Sequence, residues 1–231
     1  MQTTAILVAA GLGTRLGAQQ PKAFLLLAGV PLFIHALRAL VAAPAVSAVV
    51  VVVPAGERSR GLQFVQASGP WRCSISVVDG GAERQDSVRA GLRHADGADF
   101  IAIHDAARPF VSPKVVSLVV AAAIRHGAAI AAAPATDTVK QVHPEGWIES
   151  TPPRERMWLA QTPQVFRADV IRAAHVQAAS GVTPATDDAM LVERLGVRVH
   201  VVRANPENRK ITTAEDLRWA QWRLATGGAP R

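Results

Sequence analysis

Between Val46 and Val53 the chain reads Val-Ser-Ala-Val-Val-Val-Val-Val. A run this rich in β-branched residues, with one polar position, suits a strand covered on both faces. Such strands lie in parallel sheets with helices packed above and below, so this segment points to an α/β architecture. The rest of the chain agrees. Strand-like segments at 3–9, 75–78, 100–103, 128–133 and 197–202 alternate with helix-like ones, and that alternation is the mark of βαβ units.

The helical segments carry their own boundaries. Pro31 is read at N1 of a helix whose stripe is Leu32, Ile34 or Phe33, Leu37 and Leu40-Val41, running to about Ala43 before Pro44 ends it. Further helices are predicted at 57–68 and at 83–94, the latter after a Gly80-Gly81 turn. Ser112-Pro113 caps one that runs to His126, where Gly127 stops it. Others are predicted at 168–179 and 186–195, and Thr212-Thr213-Ala214-Glu215 reads as a capping box opening the last, to about Leu224. The pattern breaks once. Thr136–Val142, a Pro144-Glu145-Gly146 turn and Trp147–Ser150 read as a hairpin. The expectation is one Rossmann-like domain over residues 1–231, a mostly parallel sheet with helices on both faces, and a projecting β-hairpin arm at about 137–153.

Composition narrows the function classes. Hydrophobic residues make up 49% of the chain, enough for a real core. The net charge of +7 suits an anionic partner, but no run of five basic residues and no interleaved stacking aromatics point to nucleic acid. A phosphorylated small molecule explains the charge equally well. The single Cys73 excludes an intrachain disulfide and a cysteine zinc cluster. No apolar run approaches the ~20 residues of a membrane span, and no basic segment precedes the apolar stretch at 5–10, so a soluble cytoplasmic protein is expected.

In an open parallel sheet, ligands gather at the carboxyl ends of strands. Candidate residues follow strands in several places. The first strand runs into Gly11-Leu12-Gly13-Thr14-Arg15-Leu16-Gly17, followed closely by Pro21-Lys22. Glycines let backbone N–H groups approach a polyphosphate, and Arg15 and Lys22 would neutralise it. The glycines alone are an ordinary turn: the spacing is neither the dinucleotide fingerprint nor the Walker loop. The second place is Gly80-Gly81-Ala82-Glu83-Arg84-Gln85-Asp86-Ser87, readable as a turn and helix start with Arg84 and Asp86 solvated. The third is His104-Asp105-Ala106-Ala107-Arg108-Pro109, where Asp105 is placed to hold Mg²⁺ or to cap a turn, and His104 points to the opposite face in a structural role. Weaker candidates are Asp137-Thr138-Val139-Lys140, Arg154, Gln161-Thr162-Pro163-Gln164, Thr186-Asp187-Asp188 and Asn208-Arg209-Lys210.

Taken together, Ala9-Ala10-Gly11-x-Gly13-x-Arg15 with Pro21-Lys22, Asp105-Ala106-Ala107-Arg108-Pro109, Asp137-Thr138-x-Lys140 and Ala160-Gln161-Thr162-Pro163-Gln164-x-Phe166 resemble the 2-C-methyl-D-erythritol 4-phosphate cytidylyltransferases of the non-mevalonate isoprenoid pathway. The resemblance covers nearly the whole chain. It implies that Ala9, Ala10, Gly11, Gly13, Arg15 and Lys22 contact CTP, that Gly81, Ala82 and Ser87 surround cytosine, and that Ala107 lies near the ribose. It gives Asp105 to the divalent metal and substrate. Arg108, Thr138, Arg154 and Thr162 would hold the methylerythritol phosphate, partly from a second subunit, and Lys210 would approach the reacting phosphates. Arg15, Lys22 and Lys210 are thus the catalytic candidates, Mg²⁺ or another divalent cation the cofactor, and a homodimer with interlocking arms the assembly. Position 82 departs from the pattern: Ala stands where some relatives carry Asp, so only backbone can meet the base there. The alternatives are a ribitol-5-phosphate cytidylyltransferase of the same fold and a nucleotide-binding protein without chemistry.

Overall fold

The computed structural model describes residues 1–11, 13, 20–179 and 185–226. In chain order the strands are β1 (Thr3–Val8), β2 (Leu26–Leu27), β3 (Val30–Pro31), β4 (Ala48–Val53), β5 (Ser74–Asp79), β6 (Phe100–Asp105), β7 (Ala128–Pro134), β8 (Gln141–Val142), β9 (Ile148–Ser150), β10 (Trp158–Arg167) and β11 (His200–Arg203). The α-helices are α1 (Leu32–Ala42), α2 (Arg58–Ala67), α3 (Arg84–Leu92), α4 (Pro113–His126), α5 (Ala168–Ala179), α6 (Asp188–Glu193) and α7 (Ala214–Ala225). Seven strands form one sheet in the order β11-β7-β10-β6-β1-β4-β5, parallel except for β10, which runs antiparallel to both neighbours.

The valine run behaves as its composition predicts. In β4, Val49, Val51 and Val53 enter one buried cluster with Leu7, Phe33, Leu37 and Leu40, on the side covered by α1 and α4. Val50 and Val52 enter the other, with Ile6, Val88, Ile103 and Phe166, on the side covered by α3 and α5. Successive side chains of a strand point to opposite faces, so a strand with helices on both sides is apolar at every position.

Three local readings shift. Pro31 closes the short β2–β3 hairpin, opposite Leu26, and serves as N-cap of α1 rather than its first helical residue. The capping box of α7 is displaced by one residue: Thr213 caps and accepts from the Asp216 N–H, while Asp216 accepts from the N–H groups of Thr212 and Thr213. The last strand of the sheet forms at His200–Arg203, later than its 197–202 pattern.

The larger miss is β10, which sequence patterning leaves unassigned. Its ten residues lie between β6 and β7, and Pro163 stands within it. A proline inside a run argues against a central strand because it cannot donate to the ladder. Here the register with β7 shifts between Ala160 and Gln164, and the Thr162–Pro163 peptide is cis. The ladder is interrupted where the proline falls, and pairing resumes at Gln164–Phe166. The expected arm is present as the exposed pair β8–β9.

β10 is fastened to β6 by a buried polar latch. The Nε2–H of His104 donates to the Arg108 carbonyl (3.1 Å), leaving Nδ1 to accept from the Thr162 hydroxyl (2.9 Å), whose oxygen accepts the Asp105 N–H (3.1 Å). The imidazole is therefore neutral, and burial lowers its pKa to about 4 from an ordinary 6.5. Between those values the unfolded chain binds a proton that the folded one does not, so stability falls as pH drops through that window. The loss is on the order of 3 kcal/mol. In urea titrations at pH 7 and pH 4, His104→Gln is expected to lose less stability than the unaltered protein by about this amount. Equal losses in the two proteins would refute the buried neutral imidazole.

Candidate active site

Starting from β1 the chain lays β4 and β5 to one side, then crosses over to place β6 on the other. The strand order thus reverses between β1 and β6, whose carboxyl ends lie side by side with Val8 opposite Asp105. A doubly wound sheet opens a crevice at such a point. A cleft of about 650 Å³ lies there. Ala9, Ala10 and Gly11 enter it from the end of β1, and Gly13 and Lys22 from the two limbs of the following loop. Gly81, Ala82 and Ser87 come from the β5–α3 turn, Asp105 and Ala107 from the end of β6, and Lys210 from the segment between β11 and α7. Residues from both ends of the chain meet in one cavity. Arg15 falls outside the described residues.

Two glycines are needed for this approach. Gly13 has φ +71°, and a Cβ there would stand 2.6 Å from Lys22 Cβ, so the two limbs of the loop touch through that lysine. At Gly80 a Cβ would stand 2.6 Å from Ala10 Cβ and 2.7 Å from Ser87 Oγ, so the turn after β5 closes against the end of β1. The Ser87 hydroxyl accepts the Gly81 N–H (3.2 Å) and donates to the Glu83 carbonyl (3.2 Å). Ser87 therefore shapes the turn that presents Gly81 and Ala82 to the cleft.

Asp105 is the electrostatic centre. Its Oδ2 meets Lys210 Nζ at 2.7 Å and its Oδ1 meets Arg84 Nε at 3.2 Å. Burial alone pushes the carboxyl pKa up; Arg84 and Lys210 reverse this, with Arg108 behind them, and hold it well below the usual carboxylate range. Arg84 is not the solvated residue that its turn-like context suggests. Its Nη1 reaches Asp188 Oδ2 at 2.7 Å, and the fully buried Asp188 receives the Nε2–H of His175 on Oδ1 at 3.0 Å. Burial works against the guanidinium charge, but Asp188 and Asp105 outweigh it and raise the Arg84 pKa. A line of charges thus runs from Lys210 at the cleft through Asp105 and Arg84 to Asp188 at the start of α6.

The irregular part of β10 carries the supports. Asn208 donates through Nδ2 to Gln161 Oε1 (2.9 Å) and to the Thr162 carbonyl (2.8 Å), anchoring the segment that delivers Lys210. Gln164 accepts the Asp188 and Ala189 N–H groups on Oε1 (3.1 and 3.0 Å) and donates to Asp187 (2.8 Å), fixing the start of α6. Arg108 donates to the Asn208 carbonyl (2.7 Å). Thr162 and Arg108 thus lie directly behind Asp105 rather than in the cleft lining. Thr138 and Arg154 are exposed at the base of the arm, where Arg154 donates to the Thr136 carbonyl (3.1 Å).

Arg84, Asp188 and Asn208 fall in the candidate segments of the sequence, but their buried supporting roles are not legible there. Asp187-Asp188 reads as an N-cap and acidic first turn, and Asp187 does cap α6 by accepting the Met190 N–H. Nothing local separates that solvated role from the buried role of its neighbour. For a metal, no group of three or more His, Cys, Asp or Glu side chains able to hold one exists among the described residues. Two carboxylates line the cleft, Glu83 at the N-cap of α3 and Asp105 at the end of β6, of which Asp105 stands at the switch point. That suits Mg²⁺ bound chiefly through substrate phosphates, with one carboxylate in support.

The comparisons with known proteins agree with this geometry. The family model described as 2-C-methyl-D-erythritol 4-phosphate cytidylyltransferase matches residues 3–226. A protein of that name from Geotalea uraniireducens is 45% identical over 224 residues, covering 96% of each chain. Among solved structures, the 2-C-methyl-D-erythritol 4-phosphate cytidylyltransferase of Thermus thermophilus superposes with a TM-score of 0.77 at 34% identity, over 98% of this chain and 100% of that one. The 4-diphosphocytidyl-2C-methyl-D-erythritol synthase of Anaerococcus prevotii gives a TM-score of 0.87 at 26% identity, over 97% and 96%. With the seven-stranded sheet, the cleft at its switch point and the Lys22–Asp105–Lys210 constellation in place, the chain belongs to the 2-C-methyl-D-erythritol 4-phosphate cytidylyltransferase family.

Proposed function

We propose that this cleft transfers a cytidylyl group from CTP to 2-C-methyl-D-erythritol 4-phosphate, releasing pyrophosphate and giving 4-diphosphocytidyl-2-C-methyl-D-erythritol. The observation that carries the reading is the convergence of Lys22 and Lys210 on a cleft lined by Gly11, Gly13 and Gly81, at the carboxyl ends of β1 and β6. Close backbone and fixed cations are what a triphosphate requires.

A phosphate oxygen of the polyol substrate attacks the α-phosphorus of CTP, one P–O bond forms, and the bond to the β-phosphate oxygen breaks in line. The nucleophile is already an anion near neutral pH, so the protein supplies position and charge rather than a base. Arg15 and Lys22 hold the triphosphate. Lys210, presented by Asp105 at 2.7 Å, meets the negative charge that builds at the reacting phosphate. Ala9, Ala10, Gly81, Ala82, Ser87 and Ala107 form the walls for cytidine, where residue 82 offers backbone alone. Mg²⁺, when bound, shields the charge of the departing pyrophosphate. Thr138 and Arg154 receive the polyol phosphate, and Arg108 and Thr162, which the family pattern also assigns to it, support that site from behind Asp105. The exposure of Thr138 and Arg154 on the arm supports a site shared between two subunits whose arms interlock. Trp147 and Ile148 at the arm tip are 74% and 62% exposed, apolar surface that such an interface would cover.

Lys22→Ala is expected to lower kcat by about 10²–10³ with little change in melting temperature, by analogy with the loss of one donor to a transition-state oxyanion. CTP-dependent pyrophosphate release measures it, and an unchanged kcat removes Lys22 from the chemistry. The same assay with ribitol 5-phosphate tests the substrate; a clear preference for ribitol 5-phosphate would overturn the assignment. Arg154→Ala is expected to raise the KM for the polyol phosphate and spare that for CTP. Mixing Arg15→Ala with Arg154→Ala subunits then restores part of the activity, because one of the two sites in each heterodimer is intact. Verified heterodimers without recovery would exclude a shared site.

A further inference from the structure

The limb of the loop that carries Lys22 is gripped from outside the cleft by a residue with no assigned part in the reaction. Lys22 opens a short 3-10 turn, Lys22–Phe24, preceded by Gln20-Pro21. One guanidinium, that of Arg60 on α2, contacts both sides of this lysine. Its Nη2 donates to Gln20 Oε1 at 2.9 Å, and its Cζ lies 4.6 Å from the centre of the Phe24 ring. Phe24 is buried, in edge contact with Phe33 of α1 at 5.7 Å and tilted against Phe64 of α2 at 5.8 Å. The same guanidinium lies 5.8 Å from the centre of the Phe64 ring and 3.7 Å from Glu57. Arg60 itself stays 40% exposed and does not line the cleft.

We infer that Arg60 is a positioning residue for the triphosphate grip: it clamps Gln20 and Phe24 and thereby fixes where Lys22 enters the cleft. The planar fork is suited to this double task, since it can stack on a ring and hydrogen-bond in its own plane at once. An ammonium can make either contact but not both in this geometry. The clamp also reaches the incoming limb, because Gly13 rests on Lys22 Cβ. A lysine held in place before CTP arrives does not have to be fixed by it, so the clamp shows as affinity for CTP.

The inference rests on the reading that Lys22 grips CTP, and the test separates the two. Arg60→Ala is expected to raise the KM for CTP about tenfold while leaving the KM for the polyol phosphate unchanged, consistent with losing one stacked, hydrogen-bonded cation. Arg60→Lys should recover little of this, and Gln20→Ala, which removes only the hydrogen bond, should give a smaller increase. In a Lys22→Ala background the effect of Arg60→Ala on the KM for CTP should largely vanish. If Arg60→Lys restores the KM fully, charge alone acts and the clamp is refuted. A full effect of Arg60→Ala in the Lys22→Ala background also refutes it, as does an unchanged KM for CTP in Arg60→Ala. If Lys22→Ala by itself leaves activity intact, the triphosphate reading fails first. Thermal unfolding of each variant, expected to shift by only a few degrees, confirms that the comparison is between folded proteins.

Discussion

One carboxylate organises this molecule. Asp105 ends the strand beside the switch point, is almost wholly buried, and lies between two cations that reach it from different parts of the chain. A buried charge is tolerated only with partners, so Arg84 and Lys210 must be where they are. The demand propagates: Arg84 is itself largely buried and draws a second buried carboxylate, Asp188, which in turn takes the His175 N–H. The cleft and the start of α6 are therefore one electrostatic unit. Its net effect is to hold Lys210 at the mouth of the cleft without a rigid helix or strand of its own.

The antiparallel strand β10 supplies what the parallel strands cannot. Its interrupted stretch at 161–164 serves several duties at once: Gln161 and the Thr162 carbonyl hold Asn208, the Thr162 hydroxyl joins His104 to the Asp105 N–H, and Gln164 receives the start of α6. A regular strand spends its backbone groups on the ladder and sends side chains alternately up and down. An irregularity frees those groups and re-aims the side chains, which is why such features collect beside functional sites.

Gly13 and the segment that carries Lys22 are held differently from the strand ends. Gly13 is packed against Lys22, and the segment that carries this lysine is tied to an aromatic cluster under α1 and α2. Lys22 and Lys210 therefore reach the same cleft through independent supports, the first through packing and Arg60, the second through Asp105 and Asn208. In the proposed reaction, one support serves the triphosphate and the other the reacting phosphate.

The local pattern of the chain determined a good deal by itself. The valine run of β4 required two covered faces, Ser112-Pro113 and Gly127 bounded α4, and the glycines after β1, with Lys22, marked part of the cleft lining. These follow from side-chain shape, backbone freedom and short-range periodicity, all present in consecutive residues. The family motifs also brought Gly81, Ala107 and Lys210 to the same site. Tertiary structure alone decided the rest. Pro163 concealed β10, because strand pairing with an interruption is set by the neighbouring strands and not by the run itself. Arg84 and Asp188 read as solvated turn and cap residues, yet they are two halves of one ion pair drawn from distant parts of the chain. Burial, and with it the sign and strength of a charge's effect, depends on what the remainder of the chain packs against it, and no spacing along the sequence carries that information.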